Sequence, residues 1–331
     1  MFVFLVLIIL FSFYKIYDKD SVILIKDGLK NIQWIYILIC LIIILLYFLL
    51  QGIYMKTILA TLKYKISLKK GIFYSLVEFC FSGITPSSTG GQPMQLYYMT
   101  KDRIPIRKSY ITLVLNTIYF KLIILILGVF VLIFNNSYIF SNKFVYIFFF
   151  LFGFFVDLLI IIFGFALIFK YRIIKKVLVK LMSFGKKFKF LRTRIDNFDI
   201  EEFIKRYKDE IRFISKHKKV VIFNFLLTFI QRLLLFSITY VIYKAMGLSG
   251  YSFIDLLLIQ VSVQIAVEAL PIPGGAGLSE GMFHSIFGVI FISKFADIGM
   301  LLVRTFSFYI PLTISIFVVI IYSCFFMKKN K

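Results

Sequence analysis

Two stretches combine glycine, proline, hydroxyl and carboxylate groups between apolar flanks. The first reads Gly83-Ile84-Thr85-Pro86-Ser87-Ser88-Thr89-Gly90-Gly91-Gln92-Pro93. The second reads Glu268-Ala269-Leu270-Pro271-Ile272-Pro273-Gly274-Gly275-Ala276-Gly277-Leu278-Ser279-Glu280. A double glycine followed by a proline or small residues suits the start of a new half-helix. Such an N-terminus presents N–H groups and partial positive charge to an anion. Glu78, Glu268 and Glu280 lie in or beside these stretches, and Lys121, Arg232 and Arg304 are the cations inside other apolar runs. A charge at the centre of a bilayer costs about 2.5–3.5 kcal/mol on insertion scales, so these groups need partners, water or a proton. Two readings stay open: internal ion pairs that hold helices together, or a site where a cation grips a phosphate and a carboxylate handles a cationic group or a proton. Asp157 has no obvious sequence partner, and His284 reads as a packing residue.

Nucleophilic chemistry has no foothold. There is no Ser in a GxSxG elbow, no HExxH, no P-loop and no dinucleotide fingerprint after a strand. Cys40, Cys80 and Cys324 stand singly, and with only two histidines a zinc site is not expected. The expected catalytic residues, metal and cofactor are therefore none.

The elements that must carry these residues follow from composition. The chain has 331 residues, 61% hydrophobic and 19% aromatic, against about 45–50% apolar in a soluble domain. Disorder is excluded by 42 Phe and 20 Tyr. Runs long enough for a spanning helix are Ile32–Tyr54, Ser109–Phe134, Phe144–Phe169, Val220–Tyr243 and Ile298–Phe325. Met1–Tyr14 is counted as a sixth, since Lys15 can snorkel; it lacks the basic and cleavage regions of a signal peptide.

The two motif stretches, Gly71–Thr100 and Leu256–Ile290, are interrupted, and neither half of either can cross alone. Lys56, Lys63, Lys65, Lys69 and Lys70 precede the first; Lys101, Arg103, Arg107 and Lys108 follow it. Basic flanks on both sides place both ends in the cytoplasm, as a re-entrant hairpin. The second stretch has nearly neutral flanks and suits the opposite face. Paired, Gly/Pro-interrupted segments point to an inverted-repeat transporter with its site near the midplane.

The fold expected is an all-α polytopic membrane protein of about six spanning helices plus two re-entrant helical hairpins from opposite faces. It forms one membrane domain over 1–331, with a basic cytoplasmic helical insertion at 170–219 and both termini cytoplasmic. The net charge is +23, and the insertion alone carries 17 Lys+Arg against 6 Asp+Glu. Ile174, Val177, Leu178, Leu181 and Met182 keep helical spacing opposite Lys175, Lys176 and Lys180, a pattern suited to an anionic membrane surface. Asp199 reads as an N-cap with Glu202 three residues on, and Glu201–Lys205 and Glu202–Arg206 as supporting pairs. No stacking motif supports nucleic acid as a partner.

Residues 85–95 and 270–281, with Arg304 through Pro311, resemble the lysylphosphatidylglycerol synthase transmembrane family, the flippase-like membrane domain of the multiple peptide resistance factor. The resemblance runs in order over nearly the whole chain. It implies a lipid flippase in the bacterial cytoplasmic membrane, moving aminoacylated phosphatidylglycerol between leaflets and protecting against cationic peptides. It also implies a C-terminal synthase domain in full-length members; the sequence closes at Lys331, soon after the last span, so that domain is expected to be absent. Some members look to carry an acidic residue where Gln92 stands and a basic one where Gln95 stands, which leaves other phospholipids, glycolipids or polyprenyl-phosphate carriers open as cargo.

The expected substrate-binding residues are Thr85, Ser88, Thr89, Gly90, Gly91, Gln92, Glu268, Gly274, Gly275, Glu280 and Arg304, with Glu78, Lys121 and Arg232 as second candidates. The expected partner is a membrane phospholipid, anionic or aminoacylated phosphatidylglycerol. A separate synthase chain and self-association stay open. The alternative function is a membrane subunit of phosphatidylglycerol lysyltransferase working with a separate catalytic chain; a small-anion transporter or a scaffold is the third class.

Overall fold

The computed structural model describes residues 33–134, 144–185, 199–268 and 290–325. Described residues are helical, with no strand among them. In chain order the helices are α1 (Trp34–Thr61), α2 (Leu68–Ile84), a short 3-10 turn (Pro86–Ser88), α3 (Gly91–Lys101), α4 (Ile106–Phe134) and α5 (Phe144–Phe169). There follow α6 (Tyr171–Gly185), α7 (Ile200–Lys216), α8 (Lys218–Ala245), α9 (Phe253–Glu268), α10 (Ile292–Arg304), a π segment (Thr305–Tyr309) and α11 (Ile310–Phe325). The expected first span, Met1–Tyr14, lies outside the described residues.

Among the described residues five helices are long and apolar enough to cross a membrane: α1, α4, α5, α8 and the continuous run from α10 through α11. Each matches an expected span, but α1 runs past its C-terminal end, α4 and the α10–α11 run start before it, and α8 exceeds it at both ends. Apolarity stops where the hydrocarbon stops, whereas the backbone ladder continues into polar residues such as Arg107 and Lys218. Leu45, Ile133, Phe163 and Phe317 point outward on these helices, the reverse of a water-facing surface. The protein is an all-α polytopic membrane protein.

The packing is organised by where backbones approach. A Cβ on Gly71 of α2 would land on the carbonyl oxygen of Gly52 in α1, so that crossing requires small residues. α2 and α3 fold back on one another as a hairpin against α1, α4 and α11, while α9 packs against α4, α5 and α8. One buried cluster joins α1, α8, α9 and α10 through residues such as Ile44, Ile238, Ile259 and Val303; a second joins α1, α2, α4 and α7 through Ile58, Tyr74, Ile111 and Tyr207.

Three helices stop in the same way. After α1, Lys63 takes a left-handed backbone (φ 58°), and Lys63 and Tyr64 donate N–H groups back to Ala60 and Leu59. After α3, Arg103 (φ 63°) and Ile104 donate to Thr100 and Met99; after α8, Gly247 (φ 73°) and Leu248 donate to Lys244 and Tyr243. These are Schellman stops, and two of them place a long basic residue where glycine is favoured. Both basic stops flank the α2–α3 hairpin. Its base is also held by Asp102, whose carboxylate accepts from Tyr74 (2.5 Å) and from Tyr322 of α11 (3.0 Å) and pairs with Lys70 at 3.2 Å.

α6 and α7 are the amphipathic helices expected in the basic insertion. Ile174 is buried while Lys175, Lys176 and Lys180 are exposed. Asp199 caps α7 by accepting from the Glu202 N–H at 3.0 Å, and Phe203, Ile204, Tyr207, Ile211 and Ile214 form its buried face. Glu202 pairs with Arg206 as expected. Glu201 pairs with Lys175 across to α6 rather than along its own helix to Lys205, because the two helices lie side by side. Arg107 of α4 meets Glu210 at 3.7 Å; burial pushes that carboxyl up, against the pull of Arg107.

The left-handed basic stop makes a stability prediction. A non-glycine residue pays about 1–2 kcal/mol in that conformation. Arg103→Gly should raise the melting temperature in detergent, and Arg103→Val should lower it.

Candidate functional site

The α2–α3 turn is built by Thr85. Its hydroxyl donates to the Phe81 carbonyl (2.7 Å) and accepts from the Gly90 N–H (2.8 Å), closing the turn around Pro86–Thr89. Ser87 and Ser88 are both left-handed, with φ of 48° and 56°. A Cβ at Gly91 would collide with the Ser82 hydroxyl and stand 2.8 Å from the Glu78 carbonyl oxygen, so α3 can start against α2 only with glycine there. Pro93 falls in the first turn of α3, as its missing N–H allows.

This turn faces a cavity of about 770 Å³ lined by α1, α2, α4, α5, α8, α9 and the end of α10. Of the sequence-predicted residues, Ser88, Thr89, Gln92, Glu268 and Arg304 line it, as do the second candidates Glu78, Lys121 and Arg232. Thr85, Gly90 and Gly91 do not; they shape the turn that presents the others. Gly274, Gly275 and Glu280 lie outside the described residues, as do Pro271 and His284.

Helix α4 connects the two motif regions. Its Asn116 donates to Glu78 Oε1 (3.3 Å), while Gln51 of α1 donates to Glu78 Oε2 (3.2 Å). Thr117 hydrogen-bonds Gln92 of α3. One turn further along α4, Lys121 Nζ stands 2.6 Å from both Asp157 Oδ1 of α5 and Glu268 Oε1 of α9. Glu268 Oε2 accepts from Gln264 at 3.3 Å. Asp157 thus has the partner that its sequence context did not reveal.

The two arginines use aromatic faces. The Arg232 guanidinium lies 3.9 Å from the Phe120 ring centroid and 5.6 Å from that of Tyr47, and one nitrogen donates to the Tyr47 hydroxyl at 3.4 Å. Arg304 lies 4.9 Å from the Phe308 centroid. Such cation–π contacts shield a guanidinium's faces and leave its edge donors directed elsewhere. Lining residues absent from the sequence expectation are chiefly Asn116, Thr117, Asp157, Gln260 and Gln264. The signal available for them was polarity inside otherwise apolar runs, which marks a functional position by default.

Fold and cavity together define a multi-span helical membrane protein with an internal charged chamber. The family model described as Lysylphosphatidylglycerol synthase TM region matches residues 1–315, and the chain belongs to that family. No curated protein matches the chain.

Thr85 provides a test of how the turn is held. Thr85→Val removes both hydroxyl bonds and should destabilise the fold by about 1–2 kcal/mol, whereas Thr85→Ser keeps them. Thermal melting of the two variants beside the wild type measures the difference; equal losses would mean the hydroxyl is not what closes the turn.

Proposed function

We propose that this protein is a flippase-like transporter that moves phospholipid, aminoacylated phosphatidylglycerol or a close relative, between leaflets of the bacterial cytoplasmic membrane, and so contributes to resistance against cationic peptides. The observation that carries the reading is the chamber itself. Among the described residues it brings three cations, Lys121, Arg232 and Arg304, and three carboxylates, Glu78, Asp157 and Glu268, into a space among spanning helices. Charges are costly at that depth, and a group of them around an open cavity is the arrangement expected for a polar cargo. A volume of about 770 Å³ falls within the range of small-molecule sites. Membership of the family supports the lipid as cargo.

In this reading α2 and α3 are a re-entrant hairpin entering from the cytoplasmic face. Both chain termini are cytoplasmic. The guanidinium groups hold phosphate. The N-terminus of α3, with Ser88, Thr89 and Gln92, provides neutral donors. The basic α6 lies on the anionic inner leaflet.

A second reading rests on the family description, which names a synthase. Here the chain is the membrane subunit of an aminoacyl-lipid synthase acting with a separate catalytic chain. Co-purification of a synthase, or loss of lysyl-lipid on deletion, would select it.

Leaflet exchange of labelled phospholipids in reconstituted vesicles tests the transporter. The wild type should exceed the protein-free rate, and Arg232→Met should slow exchange about tenfold, as expected for one charge-assisted contact. Exchange at the protein-free rate for the wild type would overturn the proposal.

A further inference from the structure

Glu78 is held differently from the other carboxyls of the chamber. Asp157 and Glu268 each stand 2.6 Å from the Lys121 ammonium. Glu78 has no ion-pair partner among the described residues and is held by two neutral amides, Gln51 at 3.2 Å and Asn116 at 3.3 Å. The oxygens of those amides, Gln51 Oε1 and Asn116 Oδ1, are buried and receive no hydrogen bond from the described residues. The same holds for Gln95 Oε1 of α3, whose side chain is beside the same carboxyl. An amide carries donors at one end and an acceptor at the other, and its terminal torsion is roughly two-fold. Turned over, an amide that donates to a carboxylate accepts from a carboxylic acid. A lysine ammonium only donates, so a proton on Asp157 or Glu268 would weaken its contact with Lys121. Glu78 is the described chamber carboxyl whose surroundings fit both protonation states, and it keeps accessible surface along the chamber wall.

The three cations and three carboxylates described around the chamber sum to zero when all are ionised. Arg232 acts on Glu78 through space, while its own hydrogen bond goes to the Tyr47 hydroxyl at 3.4 Å. Arg232 Nε is buried without a hydrogen-bond partner among the described residues. A phosphodiester settling on Arg232 brings one negative charge and claims the cation that offsets Glu78. Two anions beside one guanidinium in a poorly solvated space repel, and one of them is neutralised. A phosphodiester is a far weaker base than a carboxylate, so the proton goes to Glu78.

We propose that Glu78 is a proton-binding site coupled to phosphate occupancy of the chamber. One proton from water adds to a Glu78 oxygen as one phosphate settles on Arg232, and it departs when the phosphate does. This rests on the transporter reading and adds its driving force: lipid and proton cross together, so a pH gradient across the membrane biases the direction of movement. The ionisable groups that face Glu78 are Tyr47 and Tyr54 of α1 and Arg232 of α8. From α3 and α4 it meets the neutral amides, while α11 brings Tyr322 to Asp102. Lys121, Asp157, Glu268 and Arg304 line the same chamber.

The test is calorimetric titration of the purified full chain in detergent with short-chain phosphatidylglycerol, in buffers of different ionisation enthalpy, which counts the protons taken up per lipid bound. The wild type should take up about one proton, and its affinity should fall by up to about tenfold per pH unit as pH rises. The sign follows because binding that consumes a proton is favoured where protons are abundant. Short-chain phosphatidylcholine, whose choline balances its own phosphate, should draw no proton. Glu78→Gln resembles the protonated carboxyl in shape and charge; it should bind phosphatidylglycerol with no proton uptake and with an affinity that no longer follows pH. Wild-type binding without uptake between about pH 6 and 9, equal uptake with both lipids, or undiminished uptake in Glu78→Gln overturns the coupling. The wild-type comparison of the two lipids stands even if the variant does not fold. Absence of phosphatidylglycerol binding would overturn the coupling and the transporter reading together. Proton-linked binding with no leaflet exchange would overturn the transporter reading alone, and exchange without proton uptake only the role of Glu78.

Discussion

Everything in the interior is arranged around the cost of keeping ions out of water. Lys121 is the centre of that arrangement: one buried ammonium, 2.6 Å from a carboxylate on each of two neighbouring helices. The contact fixes α4, α5 and α9 relative to one another more strictly than apolar packing can, because breaking a buried pair by removing one partner costs about 3–5 kcal/mol. Apolar side chains in lipid have no such preference for one register, since the tails around them are equally apolar. The charged group ties together helices that close glycine approaches bring side by side, as Gly153 of α5 does against the Ile265 carbonyl of α9.

The same helix serves the other end of the chamber. Asn116 and Thr117 engage the α2–α3 hairpin, and Lys121, about one turn on, engages α9. Phe120, between them, carries the Arg232 guanidinium on its face. Basic and acidic ends of the chamber are therefore referenced to consecutive residues of one rigid element. Glycine at 91 and the two hydroxyl bonds of Thr85 then decide how closely the hairpin turn approaches that element.

Much of this was readable before any coordinates. Hydrophobic runs located the five described spans because a helix in lipid must be apolar over the hydrocarbon thickness, whatever its neighbours. The intramembrane charges Glu78, Lys121, Arg232, Glu268 and Arg304 were readable for the same reason, and all five line the chamber. What could not be read is who faces whom. Asp157 and Lys121 are 36 residues apart, and their meeting depends on the rotation of α5 against α4, which an almost uniformly apolar helix does not encode. Glu201 illustrates the same limit outside the membrane: spacing along the helix offered Lys205, but the adjacent helix offered Lys175. The glycines were readable as special but not in their role, because conformational need and close approach leave the same residue in the sequence.

The π segment at Thr305–Tyr309 has a mechanical consequence. There the Ile310 N–H reaches back five residues to the Thr305 carbonyl, and Pro311 directly after it has no N–H to contribute. A π turn is one residue inserted into an α-helix without lengthening the hydrogen-bonded ladder to match. The last span consequently stores one residue of slack, immediately beside Arg304 and the chamber wall formed by Ser307 and Phe308. Passing that slack along the helix would turn the residues it crosses by about 100°, a single step of the helical screw, while leaving both ends of the span anchored.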